Sequence, residues 1–239
     1  MTLLRDLIFR FGWDTRCRNI DVARALQPLI DKGATLLDAG CGEYGLTAFM
    51  PTAEITGVDV LPAEAVATDV NYVHGSIIDI PFEDRSFDIA ASVDVLEHLP
   101  EELRAEAVRE LVRVARKAVV ITFPFGERAR KVDEDFKKEL DARGLPLPEW
   151  VEEHLANRYP ESQEIVDEIR SAADSAGRSV ATRVHYSESS SVARKLRWAA
   201  ARSKYFYIAG NLLAGIFLPI MPKADAASSY RAIILAEFD

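Results

Sequence analysis

The sequence predicts an α/β protein, a doubly wound seven-stranded sheet, and three observations carry that reading. Apolar runs alternate with segments of helical periodicity along its 239 residues, as successive βαβ units require. The first clear apolar run closes in a glycine-rich turn, Asp38-Ala39-Gly40-Cys41-Gly42-Glu43-Tyr44-Gly45. A later run, Ala118 to Phe123, is nearly continuous rather than alternating, the pattern of a parallel strand covered on both faces.

Taken in order, Ile20, Ala23, Leu26, Leu29 and Ile30 make one helix face that stops at Gly33, a C-terminal cap. Strands follow near 35–40, 54–60, 71–75, 87–93 and 117–123. Between the last two lies a helix with Pro100 at its first turn, Glu101 and Glu102 favoured by the helix dipole, and Leu103, Ala107, Leu111 and Val114 on one face. Residues 125–176 read as a helical insertion that helps cover the acceptor site. Val132, Phe136 and Leu140 are spaced four apart, and Gly144, Pro146 and Pro148 break two helices apart. Strand-like runs at 180–185 and 231–238 complete the sheet. No internal repeat appears, so residues 1–239 are read as a single domain.

Composition sets bounds on function. With 49% hydrophobic residues the chain can bury one large core. Only Cys17 and Cys41 occur, which implies no disulfide framework and a cytoplasmic setting. A net charge of −9 argues against nucleic-acid partners, because phosphate contacts need clustered Lys and Arg. The N-terminal run Met1–Arg10 carries charges within its apolar stretch and lacks the uninterrupted core of a signal peptide.

The glycine turn points to a ligand. Gly40, Gly42 and Gly45 form G-x-G-x-x-G, and Asp59 ends the next strand 19 residues after Gly40. Residues without a Cβ let the turn close and bring backbone against a ligand, while the acid can accept hydrogen bonds from ribose hydroxyls. An adenosine-containing cofactor is therefore expected. Asp38 stands two residues before the first glycine; a carboxylate there repels a pyrophosphate but suits a cationic ligand.

Three ordered segments, Leu37-Asp38-Ala39-Gly40-Cys41-Gly42, Ile80-Pro81-Phe82 and Leu96-Glu97-His98, together resemble the class I S-adenosylmethionine-dependent methyltransferases. The resemblance covers roughly residues 30–125, with a looser match at the C-terminus. It implies a Rossmann-like sheet, mostly parallel, whose C-terminal strand runs antiparallel, and S-adenosyl-L-methionine as cofactor. It further implies that Asp38 and the turn with Gly40, Cys41 and Gly42 hold the methionine end, with Asp59 on the ribose and Val60 beside the adenine. Ser76, Ile77 and Asp79 would line the adenine edge, and Ser92 and Val93 would border the cofactor at the end of the fourth strand. The sequence departs from the family pattern at Ser76, where an Asp often falls, and at Tyr44, which displaces the third glycine by one place. Cys41 reads as a small turn residue rather than a nucleophile, since nothing beside it would lower its pKa.

His98 is the candidate catalytic base, or alternatively a residue that holds the cofactor loop. The spacing Asp94-x-x-Glu97-His98 resembles the E-x-x-E-H of metal-dependent ubiquinone O-methyltransferases, but the first acid is Asp, and no metal site is predicted. His154 and His185 could reach an acceptor pocket.

The stretch 189–224 contains no acid, while Arg194, Lys195, Arg197, Arg202, Lys204 and Lys223 bracket an uncharged run too short to span a bilayer. It reads as an acceptor-side segment, either a buried helix or a peripheral contact with the inner face of the membrane. Arg5, Arg10, Arg16 and Arg18, with Leu7, Ile8, Phe9 and Phe11, would add a second such contact. The expected function is methyl transfer to a small-molecule, sugar or lipid-linked glycan acceptor. The alternatives are a nicotinamide-dependent oxidoreductase and a non-catalytic S-adenosylmethionine-binding, membrane-associated module.

Overall fold

The computed structural model describes residues 13–239 except 32, 48, 51, 52, 68, 69, 204, 207, 211, 212 and 214–224, and leaves the side chains of 13–17 and 188 undescribed. In chain order the elements are α1 (Trp13–Leu26), β1 (Thr35–Ala39), β2 (Glu54–Asp59), β3 (Asn71–His74), β4 (Phe87–Val93), α2 (Glu101–Val114) and β5 (Ala115–Pro124). They continue with α3 (Gly126–Asp141), α4 (Glu149–Ala156), α5 (Ser162–Ser175), β6 (Val180–Ser189), α6 (Ser190–Arg202) and β7 (Ser229–Phe238).

The strands form one seven-stranded sheet in the order β3-β2-β1-β4-β5-β7-β6. The first five pair in parallel, and β7 runs antiparallel between β5 and β6, as the resemblance implied. Strand alternation sends Leu37 and Leu36 into separate clusters on opposite faces. On one face Ala107, Val108 and Leu111 of α2 pack beside Ile165, Val166 and Ile169 of α5. On the other, Val22 and Leu26 of α1 meet Leu36, Ile89, Val120, Ile233 and Leu235.

Two expectations change here. Residues 125–176 hold three helices, and α5 is not part of a lid but a core helix packed on α2. The apolar spacing Ile165, Ile169, Ala172 is the helical stripe that puts it there, and Pro160 separates it from α4. The added layer is therefore α3 and α4 alone. They pack with α6 through Phe136, Leu140, Val151 and Ala201. The second change is at the glycine turn, where the described residues of 42–49 form consecutive turns rather than a crossover helix.

The basic character of 189–224 is also partly neutralised. Arg197 pairs with Asp133 of α3, and Arg202 pairs with Glu139 at 3.0 Å. Arg197 further lies over the rings of Trp150 and Tyr230. The acid-free stretch thus finds its counter-charges on α3, which sequence-local counting could not register. Lys204, Lys223 and the contact residues up to Phe11 lie outside the described residues, as does the side chain of Arg16. No helix among the described residues is long and apolar enough to cross a membrane.

Candidate active site

The strand order reverses between β1 and β4, and open α/β sheets bind ligands beyond the carboxyl ends of strands at such a switch point. A cavity of about 500 Å³ lies there, within the usual size of small-molecule sites. Asp38, Gly40, Cys41, Gly42, Asp59, Val60, Ser76, Ile77, Val93 and His98 all line it, so most of the sequence-derived candidates converge.

The turn after β1 is closed by backbone. The N–H groups of Gly40 and Cys41 donate to the Val58 carbonyl at 2.7 and 3.2 Å, pinning the turn to β2. Gly40 has φ +83°, and a Cβ there would stand 2.3 Å from Val95 Cγ2. Gly40→Ala is therefore expected to lower the melting temperature, because the left-handed conformation alone costs an L-residue about 1–2 kcal/mol and the clash adds to it. An unaltered thermal melt would remove this glycine from the argument. Gly42 also has positive φ, but a Cβ there meets nothing within 4 Å, so this backbone faces open space.

Asp59 is tied through both oxygens. Gly42 N–H donates to Oδ2 at 2.8 Å and Leu61 N–H to Oδ1 at 3.0 Å. Each carboxylate oxygen keeps a further lone pair, so the group can still accept from ligand hydroxyls. Asp38 is 2% exposed and accepts from Leu46 N–H at 2.8 Å. Burial pushes its carboxyl up to about 7, with the Asp59 charge adding to the rise and the Leu46 contact and Arg18 opposing it. Burial and the same two acids push the Cys41 thiol up as well, which fits a turn residue and not a nucleophile. Val60 is 66% exposed at the cavity wall and gives it an apolar surface.

Three of the sequence-derived candidates fall elsewhere. Ser92 is fully buried within β4 and is not in the cavity wall, because its neighbour Val93 takes the cavity-facing parity of the strand. Asp79 sits exposed in the turn it closes by donating N–H to the Ser76 carbonyl at 3.1 Å. His185 is exposed on the edge strand β6.

At the end of the fourth strand Asp94, noted in the sequence for its spacing to Glu97 and His98, has partners that the sequence did not single out. Asp94 has φ 55°, a left-handed conformation unusual outside glycine. Arg231 Nε donates to its Oδ1 at 2.8 Å and Arg231 NH2 to its Oδ2 at 2.5 Å, while Thr122 Oγ1 donates at 3.0 Å. Despite desolvation, these contacts hold the Asp94 carboxyl down at about 2. Arg18, Val95, Leu61, Gly75 and Glu153 also line the cavity. Arg18 reads in the sequence as part of a membrane contact, and the other four carry no sequence-local signal.

His98 is at the wall, yet both ring nitrogens are turned toward protein groups. Nδ1 lies 2.5 Å from Glu153 Oε2, and Nε2 lies 3.2 Å from Nε2 of His154. Burial and the neighbouring imidazole lower its pKa, against the opposing pull of Glu153. A base must have a nitrogen turned to the acceptor, so the geometry does not support the expected direct role. Beside it, Glu97 is 1% exposed, and burial raises its pKa well above the carboxylate range.

A buried acid that welcomes a cation, a second acid open to hydroxyls and an apolar wall fit a sulfonium nucleoside. They do not suit a pyrophosphate, which Asp38 would repel. Residues 37–123 match the family described as "Methyltransferase domain". The chain is 28% identical over 137 residues to a tocopherol O-methyltransferase of Arabidopsis thaliana, a match covering 48% of this chain and 39% of that protein. It is 34% identical over 100 residues to a demethylmenaquinone methyltransferase of Staphylococcus aureus, covering 36% and 41%. The chain thus spans under half the length of these curated relatives. Its fold is similar to a crystal structure of an S-adenosylmethionine-dependent methyltransferase from Thermotoga maritima, with a TM-score of 0.56, 18% identity, and 97% and 91% coverage. Residues 37–123 thus match a methyltransferase domain, and the sheet built around them has the fold of the S-adenosylmethionine-dependent methyltransferase from Thermotoga maritima.

Proposed function

We propose that the chain transfers the methyl group of S-adenosyl-L-methionine to a small apolar acceptor bearing a ring hydroxyl or a comparable nucleophilic atom. The observation that supports this most is the pair Asp38 and Asp59 in the wall of the switch-point cavity, acceptors suited to an ammonium or sulfonium and to ribose hydroxyls. The donor, when bound, supplies a methyl group activated by its positive sulfur. Asp38 and the Gly40–Gly42 backbone hold its amino-acid end, Asp59 its ribose, and Val60 and Ile77 its base. In-line displacement asks the protein mainly for alignment of donor and acceptor, which the rigid strand ends supply. The acceptor gains the methyl group and gives up a proton.

The acceptor class follows from two supports. Relatives similar over this segment are named for tocopherol and demethylmenaquinone. In addition, Trp198, Tyr205, Phe206 and Leu213 leave large apolar side chains 49–71% exposed along the acceptor-side segment. A lipid-linked acceptor, a sugar at its polar end included, and a peripheral membrane contact are the finer readings of that surface. With Arg197 and Arg202 paired to α3, such contact relies on aromatic groups more than on the basic rim. The test is turnover of methyl-labelled donor with a prenylated phenol, the same phenol without its tail, and a lipid-linked sugar. The prenylated phenol should show the lowest KM. Turnover of the sugar alone would contradict this acceptor class.

A further inference from the structure

Glu97, His98 and His154 each offer one ligand atom, and these atoms lie within 4.8 Å of one another. The three are not a sequence motif, because His154 comes from α4, on the added layer, 56 residues from His98. What distinguishes the cluster is where its hydrogens must be. Nδ1 of His154 lies 3.0 Å from Asp133 Oδ2, and Nδ1 of His98 lies 2.5 Å from Glu153 Oε2. Asp133 is itself contacted by Arg197, Tyr159 and Tyr230, which fixes it as an acceptor toward the ring. A neutral imidazole carries one proton, and in both rings the carboxylate claims it on Nδ1. The two Nε2 lone pairs then face each other across 3.2 Å.

Beside them is Glu97, with both carboxylate oxygens buried and without a hydrogen-bond partner, Oε1 at 3.8 Å from His154 Nε2. Two lone pairs and a carboxyl group without a hydrogen-bond partner converge in one buried place, an arrangement that a cation completes. The dimensions agree, since two imidazole nitrogens on a tetrahedral ion with bonds of about 2.0–2.1 Å stand ~3.3 Å apart. The second layer agrees too, because metal-bound histidines usually donate their other N–H to a carboxylate.

We propose that Glu97, His98 and His154 bind one divalent transition-metal ion of the zinc class. Glu153 and Asp133 orient the two rings. The chain-local triad is not the ligand set, because Arg231 and Thr122 already occupy Asp94. His98 is the one ligand of the three that lines the cavity, so the ion would sit beside it.

The experiment uses the chelator-treated chain titrated with zinc chloride by calorimetry and with cobalt(II) by visible absorption, neither of which needs turnover. One equivalent should bind, and the cobalt form should show the bands of a low-coordinate ion with nitrogen ligands. Glu97→Gln and His154→Ala should each weaken zinc binding at least tenfold, and Glu153→Gln by about 10–100-fold. His185→Ala, on the exposed edge strand, should change nothing. Binding of S-adenosylhomocysteine reports whether each variant is folded. If Glu97→Gln fails to fold, Glu153→Gln decides. No stoichiometric binding, or zinc affinity indifferent to the folded variants, overturns the proposal.

Discussion

Arg231→Met is expected to cost about 3–5 kcal/mol of stability, because it leaves the buried Asp94 carboxylate only Thr122 and a looser Arg18 contact. Arg231 is 2% exposed and reaches both oxygens of Asp94 from β7. The pair therefore ties the end of β4, where the backbone is strained at Asp94, to the antiparallel strand two places away in the sheet. At this size such a loss corresponds to a fall in melting temperature of roughly 6–20 °C. Asp94→Asn in the same chain should recover much of it, since the stranded charge rather than the lost attraction dominates the cost. A double-mutant cycle by denaturant unfolding measures the coupling. Effects of the two substitutions that simply add would show that the pair is not the clamp described.

Asp59→Ala is expected to weaken binding of the donor by about 1.5–3 kcal/mol, the range for hydrogen bonds to a charged group. The substitution also frees the N–H groups of Gly42 and Leu61, so the turn itself should loosen. Asp38 adds a pH signature. Its carboxyl titrates near 7, above the ordinary carboxylate value, because it is buried. A cationic donor favours the ionised form, so binding takes up no proton above that pH and releases one below it. Affinity for S-adenosylmethionine should therefore be flat above about pH 8 and fall by up to about tenfold per pH unit below 7. Asp38→Asn should remove this dependence. Affinity that is flat between pH 5 and 8 in the unmodified protein would contradict the assignment, as would an unchanged dissociation constant in Asp59→Ala.

Much of this was legible because it is local in the chain. Strand β1, the glycine turn and Asp59 follow from short-range rules of turn geometry and strand length, and the structure brings them to one cavity. The antiparallel β7 was legible only through the family resemblance. What the sequence could not show depends on register and on long-range packing. Ser92 and Val93 are adjacent, and the parity that faces the cavity is fixed by the sheet as a whole. Arg231 and Asp94 meet across 137 residues, and His154 meets His98 only because α4 folds back over the strand ends. Likewise Arg197 and Arg202 looked like a free basic rim until α3 supplied Asp133 and Glu139. Charges paired between elements leave no trace in a count along the chain.

The central claim is that the cavity beyond β1, β2 and β4 receives a sulfonium nucleoside rather than a dinucleotide. Calorimetric titration of the same protein with S-adenosylmethionine, S-adenosylhomocysteine and NAD tests it most directly. The two sulfur nucleosides should bind with one site per chain, and NAD should give no saturable heat. Tight binding of NAD with no response to either sulfur nucleoside would contradict the account.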